Sequence, residues 1–472
     1  MSQLKAQEAV ERALAAAGGD QCVVIADEVS SANLRWAGNT LTTNGVARSR
    51  SLTVIMLCPR PAGVAAGVVS RSAVHDAAQV AAVVDEARQA ARDATPAEDA
   101  QPLLDPAAGP AGQSEPGWDA PPATTEVGVF RDFAAALGNA FEVAASGDRR
   151  LYGFAEHGVT STFLGTSTGL RLRHDQPDGT VELNAKSADP LGPARSAWAA
   201  AATRDFADVD VTALEADLAQ RLAWAARRVE LPAGRYETVL PPTAVADLMI
   251  YLYWSAGARD ALDGRTVFSR PGGGTRVGDE LSSVPVSLRS DPRQPGLPCP
   301  PFVLAHASSR RASVFDNGLP LARTEWISGG RLAALTQTRH SARLSGLPVT
   351  PAVGNLILDV PDAGGSLAEL TAGTRRGLLL TSLFYIRELD PQTLLLTGLT
   401  RDGVYLIENG EVTGAVNNFR FNESPVAALG RIAAAGASVP ALSREWSEYF
   451  PRTVMPPLRI ADFNMSSVSQ AS

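Results

Sequence analysis

Histidine is scarce in this chain. Only five occur in 472 residues, His75, His157, His174, His306 and His340, and no two lie within ten residues of each other. That spacing excludes a His-Glu-x-x-His helix, so no single element can offer two imidazoles to one zinc ion. A composite site built from distant histidines stays open. Cysteine is scarcer still: Cys22, Cys58 and Cys299 are odd in number, far apart and outside any C-x-x-C, which excludes a disulfide framework or a zinc knuckle and suits a reducing compartment. Lysine occurs only at Lys5 and Lys186, leaving Arg as the remainder of 42 basic residues. With Ala, Gly and Pro abundant, this skew reads as GC-rich coding rather than selection for guanidinium chemistry. Arg clusters therefore carry no weight as sites.

Long apolar runs are also missing. The longest, 243–258, is broken by Asp247 and falls short of the roughly 18–20 residues that a membrane-crossing helix needs. The opening segment, MSQLKAQEAVERALAAAGGD, carries Glu8 and Glu11 among its apolar positions, which makes it the start of an amphipathic helix and not a signal h-region. A cytoplasmic location is expected. The net charge of −8 supplies no attraction to phosphate backbones or anionic membranes, so nucleic acid and membrane are not expected partners.

What is present is the balance of a globular chain, 45% apolar and 19% charged, long enough for two domains. After the first helix, apolar runs at 22–26, 33–36 and 52–58 around an Asn44-Gly45 turn read as an antiparallel meander. Val80, Val83, Val84, Ala87 and Ala91 predict a helix over 75–94. An Ala/Pro/Asp/Gly stretch over 93–125 reads as a surface loop, helical spacing resumes over 129–145, and three strands follow with turns at Gly158 and Pro177-Asp178-Gly179. A helix over 212–229 exits through Leu231-Pro232-Ala233-Gly234, the candidate domain boundary. Beyond it, a helix over 242–258 precedes short strands with turns at Asp316-Asn317-Gly318, Gly329-Gly330, Asn409-Gly410 and Thr413-Gly414, and a last helix falls near 425–435. The expected class is α+β: an N-terminal α/β domain with a largely antiparallel sheet over 1–231, and a C-terminal β-rich, barrel-like domain over 232–472.

Three patterns resemble catalytic motifs locally. Gly165-Thr166-Ser167-Thr168-Gly169 matches G-x-S-x-G, but the period-two segment after it predicts a strand where a nucleophile elbow needs a helix, so His157 and His174 do not complete a triad by spacing. Gly272-Gly273-Gly274-Thr275-Arg276 lacks the Gly-Lys-Ser/Thr ending of a phosphate loop. Asp175, Asp178 and Glu182 flank the Pro-Asp-Gly segment and read as a solvated hairpin tip.

A set of segments in order along the chain is similar to the TldD/PmbA family, in particular its TldE/PmbA branch. They are RWAGN at 35–39 with TTNG at 42–45, YGFA at 152–155, LGTSTGLR at 164–171, GTVELNAK at 179–186, VLPP at 239–242, FDNGLP at 315–320 and YLIENGEV at 405–412. The resemblance implies the two-domain fold above and a cytosolic, heterodimeric zinc metalloprotease acting on unfolded or extended peptides. In it, a TldD-type partner carries His-Glu-x-x-x-His on the first helix of the second domain, plus a Cys near the C-terminus. Laying the family's V-L-x-P anchor on 239–242 places Ile250, Tyr251 and Ser255 where His, Glu and His would fall, and the last cysteine, Cys299, lies well before the corresponding Cys. Ile cannot ligate zinc. The resemblance therefore implies no zinc or other cofactor in this chain, zinc in a TldD-type partner, and a role in closing the cavity. Tyr253 and Trp254 are candidate contacts to partner or peptide, against a plainer reading as aromatic packing. The alternative function is a non-catalytic, homodimeric peptide- or protein-binding regulator. Independent hydrolysis through Ser167 is the third reading.

Overall fold

The computed structural model describes residues 4–106, 117–187 and 195–469. Six strands form the N-terminal sheet: β1 (Cys22–Trp36), β2 (Leu41–Arg60), β3 (Gly63–Ser72), β4 (Arg149–Thr166), β5 (Arg171–Ser187) and β6 (Ser196–Thr203). They pair antiparallel throughout in the order β3-β2-β1-β4-β5-β6. Successive side chains on a strand point to opposite faces, and here each face has its own task. Cys22, Val24 and Ala26 bury against α1 (Ala6–Ala16) and α2 (Ala77–Asp93). Further along the same face, Ala32, Leu34 and Trp36 bury against α3 (Arg131–Ser146) and α4 (Val211–Trp224). Val23 and Ile25 turn the other way and, with Leu164 and Leu172, meet Phe302, Val314 and Phe315 from the C-terminal half. Each such buried aromatic contributes about 1.5–3 kcal/mol. The result is an antiparallel half-barrel, helices outside, with the C-terminal half docked on its inner face.

Several expected turns lie inside strands. Cys22–Ala26 and Asn33–Trp36 belong to one fifteen-residue strand, and Asn44-Gly45 sits within β2, where Asn44 pairs with Leu34 and Gly45 with Asn33. The real turn is at Gly38 and Asn39, whose φ of 60° and 65° suit a two-residue hairpin loop. Gly158 and Pro177-Asp178-Gly179 also lie in strands, Gly158 facing Asp178 across β4 and β5. β6 begins to pair with β5 only at Gly179, so Pro177 occupies a stretch with a free side, where its missing N–H leaves no gap in a ladder. The hairpin between β4 and β5 turns instead at 167–170, with Gly169 at φ 110°. Within the expected surface loop, the described residues send Leu103 and Trp118 into the core; the segment 107–116 lies outside the described residues.

The C-terminal half is β-rich. A ten-stranded sheet carries β7 (Arg228–Val229) at one end and β8 (Gly234–Leu240) centrally, and a six-stranded sheet includes Ser287–Ser290, Leu356–Asp359, Thr453–Met455 and Val439–Ala441. The expected helix over 212–229 stops at Trp224, because residues 228–229 pair with Ala415 and Val416 as β7. Thr413-Gly414 is strand, not turn: a Cβ on Gly414 would fall 2.8 Å from the Arg227 carbonyl oxygen. Gly329-Gly330 and Asn409-Gly410 do form turns, with positive φ at each residue. Helix ends at Leu429 in the last helical region, and Ile432–Ala435 is a strand paired with Leu458–Val468.

Between these sheets runs α5 (Pro242–Trp254), opened by Pro at its first position, where a missing N–H costs nothing. Its residues Ala244–Ile250, Leu252 and Tyr253 are all buried. A helix apolar all round belongs in a core, and α5 is the C-terminal half's central element.

Candidate functional site

The residues at the degenerate zinc positions lie on the last turns of α5. Ile250 is fully buried. Tyr251 is half-buried and its ring tilts against Trp446 at 5.7 Å between centroids. Ser255, the helix cap, donates its hydroxyl hydrogen to the Tyr251 carbonyl oxygen (2.9 Å), closing the helix on itself. Ile250 offers no donor atom, the Tyr251 ring is spent on Trp446, and the Ser255 hydroxyl is spent on the backbone. This set does not fit a zinc ion. Among the described residues, no group of three or more His, Cys, Asp or Glu side chains is placed to hold a metal.

Tyr253 is buried, and its hydroxyl makes two bonds to a single residue, donating to the Val353 carbonyl (3.1 Å) and accepting from the Val353 amide (2.7 Å). Its ring packs on Trp326 and Phe450 at 5.2 and 5.9 Å. Trp254 is half-buried, edge-on to Trp446 at 5.1 Å, with its carbonyl accepting from Arg311. Tyr253 is thus committed to packing inside this chain, whereas Trp254 keeps an open flank.

The group that sequence reasoning did not single out is Asp247, one turn before Tyr251. It is the only charged residue of α5 and is fully enclosed. Its Oδ1 accepts from the Ser443 hydroxyl (2.6 Å) and the Glu445 amide (2.9 Å), its carbonyl accepts from Trp446 Nε1 (3.0 Å), and its Oδ2 has no hydrogen-bond partner among the described residues. Burial pushes this carboxyl up to about 7, against the pull of the Ser443 and Glu445 bonds. Glu445 in turn accepts from the Tyr385 and Ile386 amides (2.9 and 3.1 Å). One buried carboxyl therefore positions the segment 443–446, and with it the Trp446 ring that covers Tyr251 and Trp254. The visible signal was the single acidic residue interrupting the apolar run.

The other candidates stand apart. Ser167 turns the β4–β5 hairpin, its hydroxyl accepting from the Cys22 amide (3.0 Å). His157 lies ten residues up the same strand, about 33 Å away, enclosed by Thr125 Oγ1 (2.7 Å) and the Arg204 carbonyl (2.8 Å). His174, on β5 opposite Thr162, bonds Gln176 (3.0 Å). No triad forms. Asp175, Asp178 and Glu182 sit along β5 rather than at a tip, partnered separately by Arg173 (2.9 Å), Arg452 (2.5 Å) and Trp198 (3.1 Å). Gly272, Gly273 and Gly274 all have positive φ in a tight turn without a following helix. Cys22 and Cys299 are unpaired and buried, and burial lifts both thiols to about 11, which leaves them unreactive at neutral pH. No described helix is long and apolar enough to cross a membrane.

Residues 233–467 match the model of the PmbA/TldA metallopeptidase C-terminal domain. No curated protein matches. Among solved structures, TldE from Thermococcus kodakarensis superposes with a TM-score of 0.77 at 15% identity, over 97% of this chain and 99% of that one. A proposed modulator of a DNA gyrase from Thermotoga maritima gives 0.76 at 17% identity, over 97% and 99%. One from Bacteroides thetaiotaomicron gives 0.75 at 14% identity, over 98% of each chain. These likenesses establish the fold over the whole length, and the domain match establishes the lineage. The chain belongs to the TldD/PmbA family.

Proposed function

We propose that this chain is the TldE/PmbA-like subunit of a TldD/TldE-type heterodimeric zinc metalloprotease that acts on unfolded or extended peptides. It shapes the peptide cavity while a TldD-type partner holds the zinc. The observation that carries the reading is the packing of α5, where Ile250, Tyr251 and Ser255 are each committed to apolar contact or backbone bonding. A catalytic zinc needs about three protein ligands, and its bound water a carboxylate to take the proton; these positions supply neither a usual zinc ligand nor a carboxylate. The name of the Thermococcus kodakarensis neighbour supports the same branch. The half-buried Trp254 and Trp446 at the end of α5 are the chain's contribution to the shared cavity wall. In this reading domain 232–472 carries the degenerate zinc positions, and the pair works in the cytoplasm.

The test mixes the purified chain with its TldD-type partner and follows cleavage of a disordered peptide. Cleavage by the pair and by neither chain alone is the expected result. Equal cleavage by the partner alone removes the required role, and chelator-sensitive cleavage by this chain alone overturns the reading outright. A stable self-dimer with no effect on the partner favours the non-catalytic regulator.

A further inference from the structure

The loop 443–446 has neither helix nor strand, yet each of its four residues is tied down. Ser443 donates to Asp247 Oδ1 (2.6 Å) and Arg444 to Asp402 (2.7 Å). The Glu445 carboxylate accepts from two amides of the strand Leu383–Asp390. Trp446 donates to the Asp247 carbonyl (3.0 Å), and its ring covers Tyr251 and Trp254. With the Glu445 amide (2.9 Å), three bonds from the loop end on Asp247. The loop is latched to α5 through one residue, and that residue can gain or lose a proton.

The bonding pattern shows which form the latch uses. Oδ1 takes both donors and Oδ2 takes none among the described residues. That is the pattern of a neutral acid, whose carbonyl oxygen accepts while the other oxygen carries the proton; a carboxylate would want donors on both. The charged groups facing Asp247 are Glu445, of like sign, and Arg444, whose guanidinium is spent on Asp402 and Ser382 and lies over the Trp198 ring (4.9 Å). Arg387 pairs with Glu445 (3.5 Å). Of the other elements packed on α5, Val439–Ala441, Thr453–Met455 and Pro425–Leu429 carry no charge. On β8, Arg235 and Glu237 are bonded to the Asp462 carbonyl (3.0 Å) and to Arg459 (3.1 Å). No cation among the described residues is committed to an ionised Asp247, whereas water would stabilise one.

We propose that the loop 443–446 is a proton-controlled latch, closed over the end of α5 while Asp247 is neutral and opening more often as the medium becomes less acidic, which uncovers Tyr251 and Trp254. The loop yields rather than the helix: α5 is buried in the core, whereas residues 444–447 are half-buried and belong to no ladder or helix. Once the loop lifts, the carboxyl meets water and ionises with its ordinary affinity near 4. Each pH unit then favours the open form about tenfold, until the closed form itself ionises. Burial puts that limit at about 7. The inference goes beyond the proposed function and does not rest on it.

The test is hydrogen exchange on the full chain, with each rate corrected for the intrinsic effect of pH. Between pH 5 and pH 7 the protection of the Glu445 and Trp446 amides should fall about 100-fold and then level off, while the central strands β1 and β4 exchange more slowly throughout. In Asp247→Asn, which cannot ionise, the same amides should hold one protection across the range. Ser443→Ala removes one bond of the latch; it should lower protection at every pH and keep the slope. Acrylamide quenching of Trp254, read as the difference between wild type and Trp254→Phe, should rise over the same interval. Loop amides whose protection does not change with pH overturn the proposal. So does a change that Asp247→Asn shares, or one that only follows the core strands. If Asp247→Asn fails to fold, the wild-type profile and the Ser443→Ala slope decide.

Discussion

The Oδ1 atom of Asp247 and the amide of Glu445 are 2.9 Å apart across 198 residues of chain, and the second oxygen of the same carboxyl has no hydrogen-bond partner among the described residues. A buried carboxyl held near 7 by desolvation is a liability that depends on pH. Unfolded, the group titrates near 4; folded, it keeps its proton up to about 7. Between those values the native state binds the extra proton, so stability falls by about 1.4 kcal/mol per pH unit, about 4 kcal/mol in all, and levels off above 7. Asp247→Asn keeps one acceptor and cannot ionise. Denaturant titrations from pH 4.5 to 8.5 should show the wild type losing ground to the variant up to pH 7 and not beyond; a pH-independent difference would refute the assignment.

Tyr253 and Val353 are bound twice through one hydroxyl. Tyr253→Phe keeps the ring contacts with Trp326 and Phe450 but strands a buried amide and carbonyl, at about 1–3 kcal/mol. The urea midpoint should drop with the slope unchanged. A shift too small to measure would mean that water replaces the hydroxyl.

Ile250 is fully buried on α5. Ile250→His should cost about 2–4 kcal/mol at neutral pH through lost apolar contact and a desolvated imidazole. Because burial lowers a histidine's pKa, the loss should deepen as pH falls below about 6.5. Stability measured at pH 5.5 and 7.5 decides it, and an unchanged gap would show the imidazole reaching water.

Two glycines should respond in opposite directions. A Cβ on Gly67 would lie 2.1 Å from the Ala91 amide nitrogen and 2.2 Å from the Ala87 carbonyl oxygen, because α2 packs directly on β3 at that point. Gly67→Ala must lift a helix and should cost about 3 kcal/mol. Gly138 sits exposed within α3 with nothing within 4 Å of a Cβ, and Gly138→Ala should add about 0.5–1 kcal/mol. Thermal melts of both would expose a wrong sheet–helix packing if Gly67→Ala proved neutral.

Helices were legible where a stripe repeated: Val80, Val83, Val84, Ala87 and Ala91 are the buried residues of α2. Turn signals misled at two strand stretches with a free side, and at Gly158, which is paired on both sides. Asn44-Gly45 and Pro177-Asp178-Gly179 have the composition of turns, yet Asn44 and Gly45 are extended with pairing to β1 on one side only, and Pro177 and Asp178 with pairing to β4 on one side only. The true β1–β2 turn, Gly38-Asn39, is legible only through its backbone signs. The strand β7 was invisible because two residues cannot show a period; only Ala415 and Val416 make it a strand. At the candidate site, the degenerate positions followed from an anchor motif, but the Asp247 clamp did not. Its partners Ser443 and Glu445 are nearly two hundred residues away, and no local pattern connects them.

Arg452 donates both to Asp178 on β5 (2.5 Å) and to the Gly354 carbonyl (3.0 Å), while His306 reaches Thr53 on β2 (3.1 Å) and Arg339 reaches the Pro102 carbonyl (3.0 Å). Around these ties lies the seam where Val23 and Ile25 meet Phe302 and Phe315. Neither half is therefore self-sufficient. A protease nick near Gly234 would leave two fragments clinging together, and expressing either half by itself would bare a greasy surface and yield aggregates.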